Sequence, residues 1–231
     1  MKLTPVAALV ACALAGASCD QNREASLPSR SPARALPAAP VQLAPNVNRD
    51  WTSPSIPFGL RLSAAAEERA THAVVYDAAY VQIPYPNGDV PADKGVCSDE
   101  VIRAYRLLGI DLQKLVHEDM VRAFRAYPGR WGLPHPDTNI DHRRVPNLAT
   151  FFTRHGASLP VTANGGDYKP GDVVAFVVAE GRPHIGIVTE RLSADGQRPL
   201  IMHNIGLGPQ IEDVLFTLTL TGHFRYPADD R

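Results

Sequence analysis

Cysteine is scarce in this sequence, which has three among 231 residues: Cys12, Cys19 and Cys97. A small exported domain that depends on disulfide bonds carries a larger and even set of cysteines, so a disulfide framework is excluded. Cys12 lies in an apolar N-terminal run that we expect to be removed. The main domain then holds one cysteine, Cys97, and we expect it to be a free thiol.

Long apolar runs and an excess of charge are also missing. The longest apolar run, Val6 to Ala17, is too short to span a bilayer, which takes about 20 residues. The formal net charge is -1, so no basic surface for nucleic acid is expected. These absences argue against a membrane-spanning protein and against a nucleic-acid-binding protein.

The N-terminus has the layout of a secretory signal peptide. Lys2 precedes the apolar run, and Ala15, Gly16 and Ala17 form a small-residue cleavage motif, so we assign residues 1–19 to the signal. The alternative is a lipoprotein signal with Cys19 as the lipidated residue, although Gly16 stands where such signals usually have Leu. Both alternatives predict export to the periplasm or cell envelope, with membrane contact only through a lipid on Cys19.

The remaining chain divides into a tether and one domain. Residues 20–58 are rich in Pro, Ala, Ser and Arg without periodicity, which predicts a disordered tether. From residue 59 to 231 the chain is long enough for one domain with its own core. Its helical patterns come first, with the earliest helix starting at Ser63 as N-cap, and the β-rich runs follow Gly171. This order predicts an α+β fold with helices packed on a mostly antiparallel sheet.

Cys97 immediately precedes an amphipathic pattern that ends at Gly109. The N-terminus of a helix favours a thiolate, because its unpaired N–H groups and dipole present positive charge. Cys97 is therefore a candidate nucleophile, and the alternative is an inert buried cysteine.

His184 and His203 lie on two β-rich runs separated by the turn signal Asp195-Gly196. A hairpin at this turn places the two histidines side by side. A nucleophilic thiol needs a base, and the base needs a polar group that orients it. Cys97, His184 and His203 meet these needs, with Asn204 as the alternative for the third position. A zinc site is the competing interpretation, but the short paired ligand spacing is absent, so we expect neither metal nor cofactor.

Several segments between residues 60 and 226 resemble the bacterial family called domain of unknown function 1287. They are "GVCSDEVIRAYRLLGIDLQKLVHEDM", "PDTNIDHRRVPNL", "GDVVAF", "HIGIV", "HNIGLGPQIEDVLF" and "TGHFRY". This family is similar to the NlpC-type, papain-like cell-wall peptidase superfamily. The resemblance implies a papain-like, NlpC-like arrangement of the α+β fold. It also implies Cys97 as nucleophile, His184 as general base and acid, and His203 as the orienting group.

Two parts of the sequence supply candidate substrate-binding residues. Well-studied members of the superfamily have Asp-Cys-Ser-Gly at the nucleophile, whereas this chain has Val96-Cys97-Ser98-Asp99, so the acidic residue has moved and Asp99 becomes a candidate substrate contact. Tyr85 precedes the Cys97 helix and is a candidate for the cleft border, with turn packing as the alternative. A polar segment supplies a candidate rim for peptide carboxylates, with a solvated loop locked by Asp–Arg pairs as the alternative: Asp137, Asn139, Asp141, His142 and Arg143.

These features together predict an exported cysteine amidase or peptidase acting on peptidoglycan peptides. Two alternatives remain open. A non-catalytic envelope module would bind the same peptides and keep Cys97 for packing. A thiol acyltransferase would use the same three residues with a different acceptor.

Overall fold

The computed structural model describes residues 51–227, which form an α+β domain, as the sequence predicts. Its five-stranded antiparallel sheet has the order β6-β5-β4-β3-β7, and β1 and β2 form a separate parallel pair. The helices are α1 (Phe58–Arg69), α2 (Cys97–Leu107), α3 (Leu112–Ala123) and α4 (Val145–Arg154), and the strands are β1 (Val75–Tyr76), β2 (Lys94–Gly95), β3 (Val173–Val178), β4 (Arg182–Leu192), β5 (Pro199–Asn204), β6 (Pro209–Glu212) and β7 (Thr219–Phe224).

The packed domain begins earlier than the predicted boundary at residue 59. Trp51 and Phe58 are partly buried against the main core, so this part of the expected tether is not a tether. Two large aromatic side chains supply enough apolar surface to offset the cost of ordering the segment. The predicted signal peptide, Cys19 and the tether before residue 51 lie outside the described residues.

The first helix also begins earlier than predicted. It starts at Phe58 with Pro57 as N-cap, and Ser63 is a buried residue in its middle rather than its cap. The Ser63 hydroxyl accepts a hydrogen bond from the Glu190 backbone N–H at 2.9 Å. This serine therefore ties α1 to β4, a role that local sequence does not reveal.

The helices cover one face of the sheet. Val101 and Tyr105 of α2 are buried in the main core together with Ile185 and Ile187 of β4. The opposite face has a smaller core that includes Phe176 and Val188, so both faces of β3 and β4 are covered. Within residues 51–227, no helix is long and apolar enough to cross a membrane.

The β4–β5 hairpin, predicted from Asp195-Gly196, is present. Its register pairs Val188 with Ile201 and Ile187 with Met202, and the ladder stops there. Towards His184 the regular pairing of β4 with β5 ends at Ile187, and the side chains of His184 and His203 still meet at 2.9 Å.

The sheet's last two strands differ from the prediction. The β-rich pattern between residues 212 and 220 favours one long strand, but β6 ends at Glu212, and β7 begins only at Thr219. Leu215, between these strands, is fully buried in the smaller core, which explains the apolar pattern without a strand. Glu212 consequently lies at the end of an edge strand beside β5.

Candidate active site

Cys97 is the first residue of α2, following the extended N-cap Val96. Its side chain is 4% exposed, and it is a free thiol. The sulfur is approached by the backbone N–H of Ile185, the amide that joins Ile185 to His184. The start of α2 therefore places the thiol beside the backbone of β4.

Burial controls the protonation of this thiol. Loss of solvent raises the pKa of Cys97 to about 12, against a lowering by the N–H of Ile185. The Asp99 carboxylate raises the pKa further, and the N–H groups of Ser98 and Cys97 at the helix start only partly offset it. The resting cysteine is a neutral thiol, contrary to the thiolate expected from the helix N-terminus, because desolvation outweighs the helix dipole.

His184 and His203 are in direct contact. Nε2 of His184 lies 2.9 Å from Nδ1 of His203, and both side chains are 2% exposed. Burial, followed by the charge of His203, lowers the pKa of His184 to about 3, so its imidazole is neutral. A neutral thiol and a neutral imidazole are the resting forms of the two groups.

Asn204 does not take the third position. It is fully buried, and its Oδ1 accepts a hydrogen bond from the Gly206 N–H at 3.1 Å. Successive residues of a strand point to opposite faces, so His203 and Asn204 cannot both face His184. Of the two alternatives for the orienting group, the structure brings His203 to His184.

Gly186 explains how the two histidines come so close. A Cβ at this position would lie 2.6 Å from Cγ2 of Ile201 and 2.7 Å from the Met202 carbonyl oxygen. Because Gly186 has no side chain, strand β5 packs closely against β4 at this position.

Sequence reasoning missed Glu212. Its Oε2 lies 3.0 Å from Nε2 of His203, and its side chain is 42% exposed. His203 lowers the pKa of the Glu212 carboxyl, which is therefore ionised at neutral pH. The sequence pattern predicts a strand that starts at Glu212, whereas β6 ends there. The contact between Glu212 and His203 was therefore not predicted.

Tyr76, also missed, lies near the thiol. It is opposite Gly95 in the β1–β2 pair, two residues before Cys97. Burial, and next the charge of Cys97, raise the pKa of its phenol. The candidate Tyr85 packs elsewhere, with its ring centroid 5.0 Å from that of His117 on α3.

Asp99 and Arg143 form a buried ion pair instead of substrate contacts. Arg143 donates from Nε to Asp99 Oδ1 at 2.8 Å and from Nη2 to Oδ2 at 3.0 Å, and the two side chains are 3% and 2% exposed. Asp99 also accepts the Val96 N–H at 2.7 Å, and the Ser98 hydroxyl donates to the Arg143 carbonyl at 2.6 Å. These bonds hold the first turn of α2, and thereby Cys97, in place.

The rest of the expected rim is buried or partly buried. Asp141 and His142 are buried, at 1% and 3% exposure. Asp137 accepts from the Tyr80 hydroxyl at 3.1 Å, and Asn139 accepts from the Ile83 N–H at 2.9 Å. Burial argues against substrate contact by Asp99 and by the rim candidates Asp141, His142 and Arg143. The ion pair of Arg143 with Asp99 joins the segment before α4 to the start of α2.

Neither a metal-binding cluster nor the cavity of about 620 Å³ involves the thiol in the described part of the chain. Between residues 51 and 227, no group of three His, Cys, Asp or Glu side chains is arranged to hold a metal. A cavity of about 620 Å³ lies elsewhere, between the start of α1 and the end of β7, with Phe58, Gly171 and Tyr226 in its lining. This cavity contains neither Cys97 nor the two histidines.

The sequence of the domain matches a known protein family. The model of the family described as "Domain of unknown function (DUF1287)" matches residues 63–226, which span α1 to the end of the sheet. The chain belongs to the DUF1287 family. The family resemblance noted in the sequence is thereby confirmed.

This DUF1287 chain is similar to a curated bacterial protein and, distantly, to a solved structure. The "Uncharacterized protein YijF" of Escherichia coli (strain K12) is 48% identical over 192 residues, covering 83% of this chain and 88% of that protein. NlpC1 from Trichomonas vaginalis is 14% identical, with a TM-score of 0.42, over 78% of this chain. The match covers 48% of NlpC1, about half its length. We draw no functional argument from so distant a structural similarity.

Proposed function

We propose that this DUF1287 domain is a cysteine hydrolase that cleaves amide bonds of peptidoglycan peptides. The observation that carries the proposal is the contact of the Cys97 sulfur with the backbone N–H of Ile185, the residue next to His184. The sulfur lies beside the amide between His184 and Ile185, and His184 is held by His203 at 2.9 Å. A nucleophile, a base and an orienting group in this order form the minimal set for covalent acyl transfer.

The proposed reaction starts from neutral groups. Because Nε2 of His184 faces His203, Nδ1 is the ring nitrogen left to accept the thiol proton. Deprotonated Cys97 attacks the amide carbonyl, and backbone N–H groups at the start of α2 stabilise the oxyanion, since the first N–H groups of a helix have no partner within it. His184 then protonates the leaving amine, which leaves a thioester on Cys97.

Water completes the reaction. His184 takes a proton from water, the hydroxide attacks the thioester, and the acid leaves as the thiol is restored. The high pKa of the Cys97 thiol means that proton transfer accompanies attack on a bound substrate and does not precede it.

The sequence supports the proposed substrate and compartment. An N-terminal signal pattern supports export, with the periplasm or envelope as destination and a lipid on Cys19 as one form of anchoring. Peptidoglycan is the amide-rich polymer of that compartment, which makes its peptides the proposed substrate.

A binding module is the second candidate, and one observation favours it. The thiol is 4% exposed and neutral at rest, as an inert core cysteine is. In that case the domain would hold peptidoglycan peptides without cleaving them. The thiol acyltransferase would share the thioester but pass the acyl group to an amine or hydroxyl instead of water.

Digestion of purified peptidoglycan separates these candidates. The wild-type protein, Cys97→Ala and His184→Ala are incubated with the polymer, and the soluble products are identified by mass spectrometry. New peptide ends from the wild type alone support the hydrolase, and new adducts with an added amine indicate acyl transfer. Binding by all three proteins without new products contradicts the hydrolase and favours the binding module.

A further inference from the structure

The contact between Glu212 and His203 joins the edge strand β6 to the candidate site. Glu212 lies diagonally across from His203, since the register pairs His203 with Gln210 and Ile201 with Glu212. Residues two apart on a strand share a face, so the carboxylate and the imidazole lie on the same face. The distance from Oε2 to Nε2 is 3.0 Å.

His203 needs an acceptor at this nitrogen. Its Nε2 is buried and has no aligned hydrogen bond among residues 51–227, although Glu212 lies at ion-pair distance. A small rotation of the 42% exposed Glu212 side chain aligns the bond at this distance. A carboxylate only accepts hydrogen bonds, so the proton must be on Nε2 of His203.

The proton on Nε2 of His203 in turn determines which ring nitrogen of His184 carries a proton. With its proton on Nε2, neutral His203 presents a lone pair at Nδ1, and the 2.9 Å contact then requires His184 to carry its proton on Nε2. The lone pair of His184 is consequently at Nδ1, the nitrogen that must accept the thiol proton.

We infer that Glu212 is a positioning residue, which fixes the tautomers of His203 and His184 so that His184 acts as a base towards Cys97. This inference rests on the proposed function for its catalytic meaning, although the tautomers themselves do not. Glu212 touches neither the thiol nor a substrate, so it acts only through His203. After proton transfer, its negative charge also stabilises the imidazolium.

The other charged groups near the site cannot replace Glu212. Asp99 is held by Arg143 in a buried pair at the start of α2. Tyr76 on β1 is a neutral phenol, and Arg182, at the start of β4, carries the wrong charge to accept a proton from an imidazole.

Ring-nitrogen NMR of the full-length protein, labelled on histidine, tests the inference without a substrate. Single His184→Gln and His203→Gln variants assign the signals. We expect both histidines of the wild type to carry a proton on Nε2 alone, and Glu212→Ala to lose this single tautomer at His203. Glu212→Gln should keep it, because its amide oxygen accepts a hydrogen bond as the carboxylate does.

Asp213→Asn is the matched control, because Asp213 has a similar exposure of 37% and pairs with Arg198 instead of a histidine. It should leave both tautomers unchanged. A wild-type-like His203 in Glu212→Ala, or a proton on Nδ1 of His203 in the wild type, overturns the inference.

Peptidoglycan digestion keeps the two proposals distinguishable. If the wild type cleaves, Glu212→Ala should cleave more slowly by at least about tenfold, because it lacks the group that fixes the tautomer of the base. Equal cleavage by wild type and Glu212→Ala would overturn the positioning role while the hydrolase stands. The expected tautomers in a protein that cleaves nothing would support the proton arrangement and contradict the hydrolase.

Discussion

Both carboxylate oxygens of Asp99 are held by the guanidinium of Arg143, which lies 44 residues further along the chain. The same carboxylate accepts the N–H of Val96, directly before Cys97. This buried pair therefore fixes the start of α2 at the position where the thiol meets β4.

Arg143→Ala should lower the free energy of unfolding by about 3–5 kcal/mol, because it leaves the Asp99 charge buried without a partner. Arg143→Lys should also be destabilised, since lysine cannot form the two-pronged bond. The exposed Arg122, 3.7 Å from Asp119, provides the control: Arg122→Ala should change stability little. Denaturant unfolding measures all three, and an unchanged Arg143→Ala would refute the structural role.

Gly186→Ala should destabilise the protein by roughly 1–3 kcal/mol, because the added methyl group meets Ile201 and the backbone of Met202. It should also slow any peptidoglycan cleavage, since it pushes β5 and His203 away from His184. Thermal unfolding and the digest are the measurements. Gly129→Ala, which meets nothing within 4 Å, should behave like the wild type.

The resting thiol should be neutral at physiological pH. With its pKa raised by burial to about 12, Cys97 should show no thiolate absorbance at pH 7, and thiolate should form only in strong alkali. The spectrum of Cys97→Ser, subtracted from that of the wild type, isolates this signal. Thiolate absorbance near pH 6 would instead indicate a resting ion pair with His184.

Acid should destabilise the protein through its buried histidines. Burial, and next the positive charges of Arg143 and Arg106, lower the pKa of His142 to about 3, whereas in the unfolded chain it is about 6.5. Between these values the unfolded state binds more protons, so stability falls as pH decreases through this window. Melting temperatures between pH 7 and pH 4 should show the decline, and His142→Leu should make it shallower. An equally steep decline in the variant would assign the effect to other groups, such as His184.

Local patterns along the chain were enough to predict the order of the elements. The periodicity after Cys97 and the turn at Asp195-Gly196 depend on neighbours within a few residues, and the structure has α2 and the β4–β5 hairpin at these places. The hairpin in turn places His184 beside His203, so this half of the candidate site was visible in the sequence.

The sequence by itself therefore determined the α+β order, the single cysteine at a helix start and the two adjacent histidines. Only the tertiary structure decided that Asp99 and Arg143 are buried in an ion pair, that Glu212 contacts His203 and that Cys97 is a neutral thiol. Charge pairing and desolvation depend on which distant segments pack together, and the residues next to each group in the chain do not encode this.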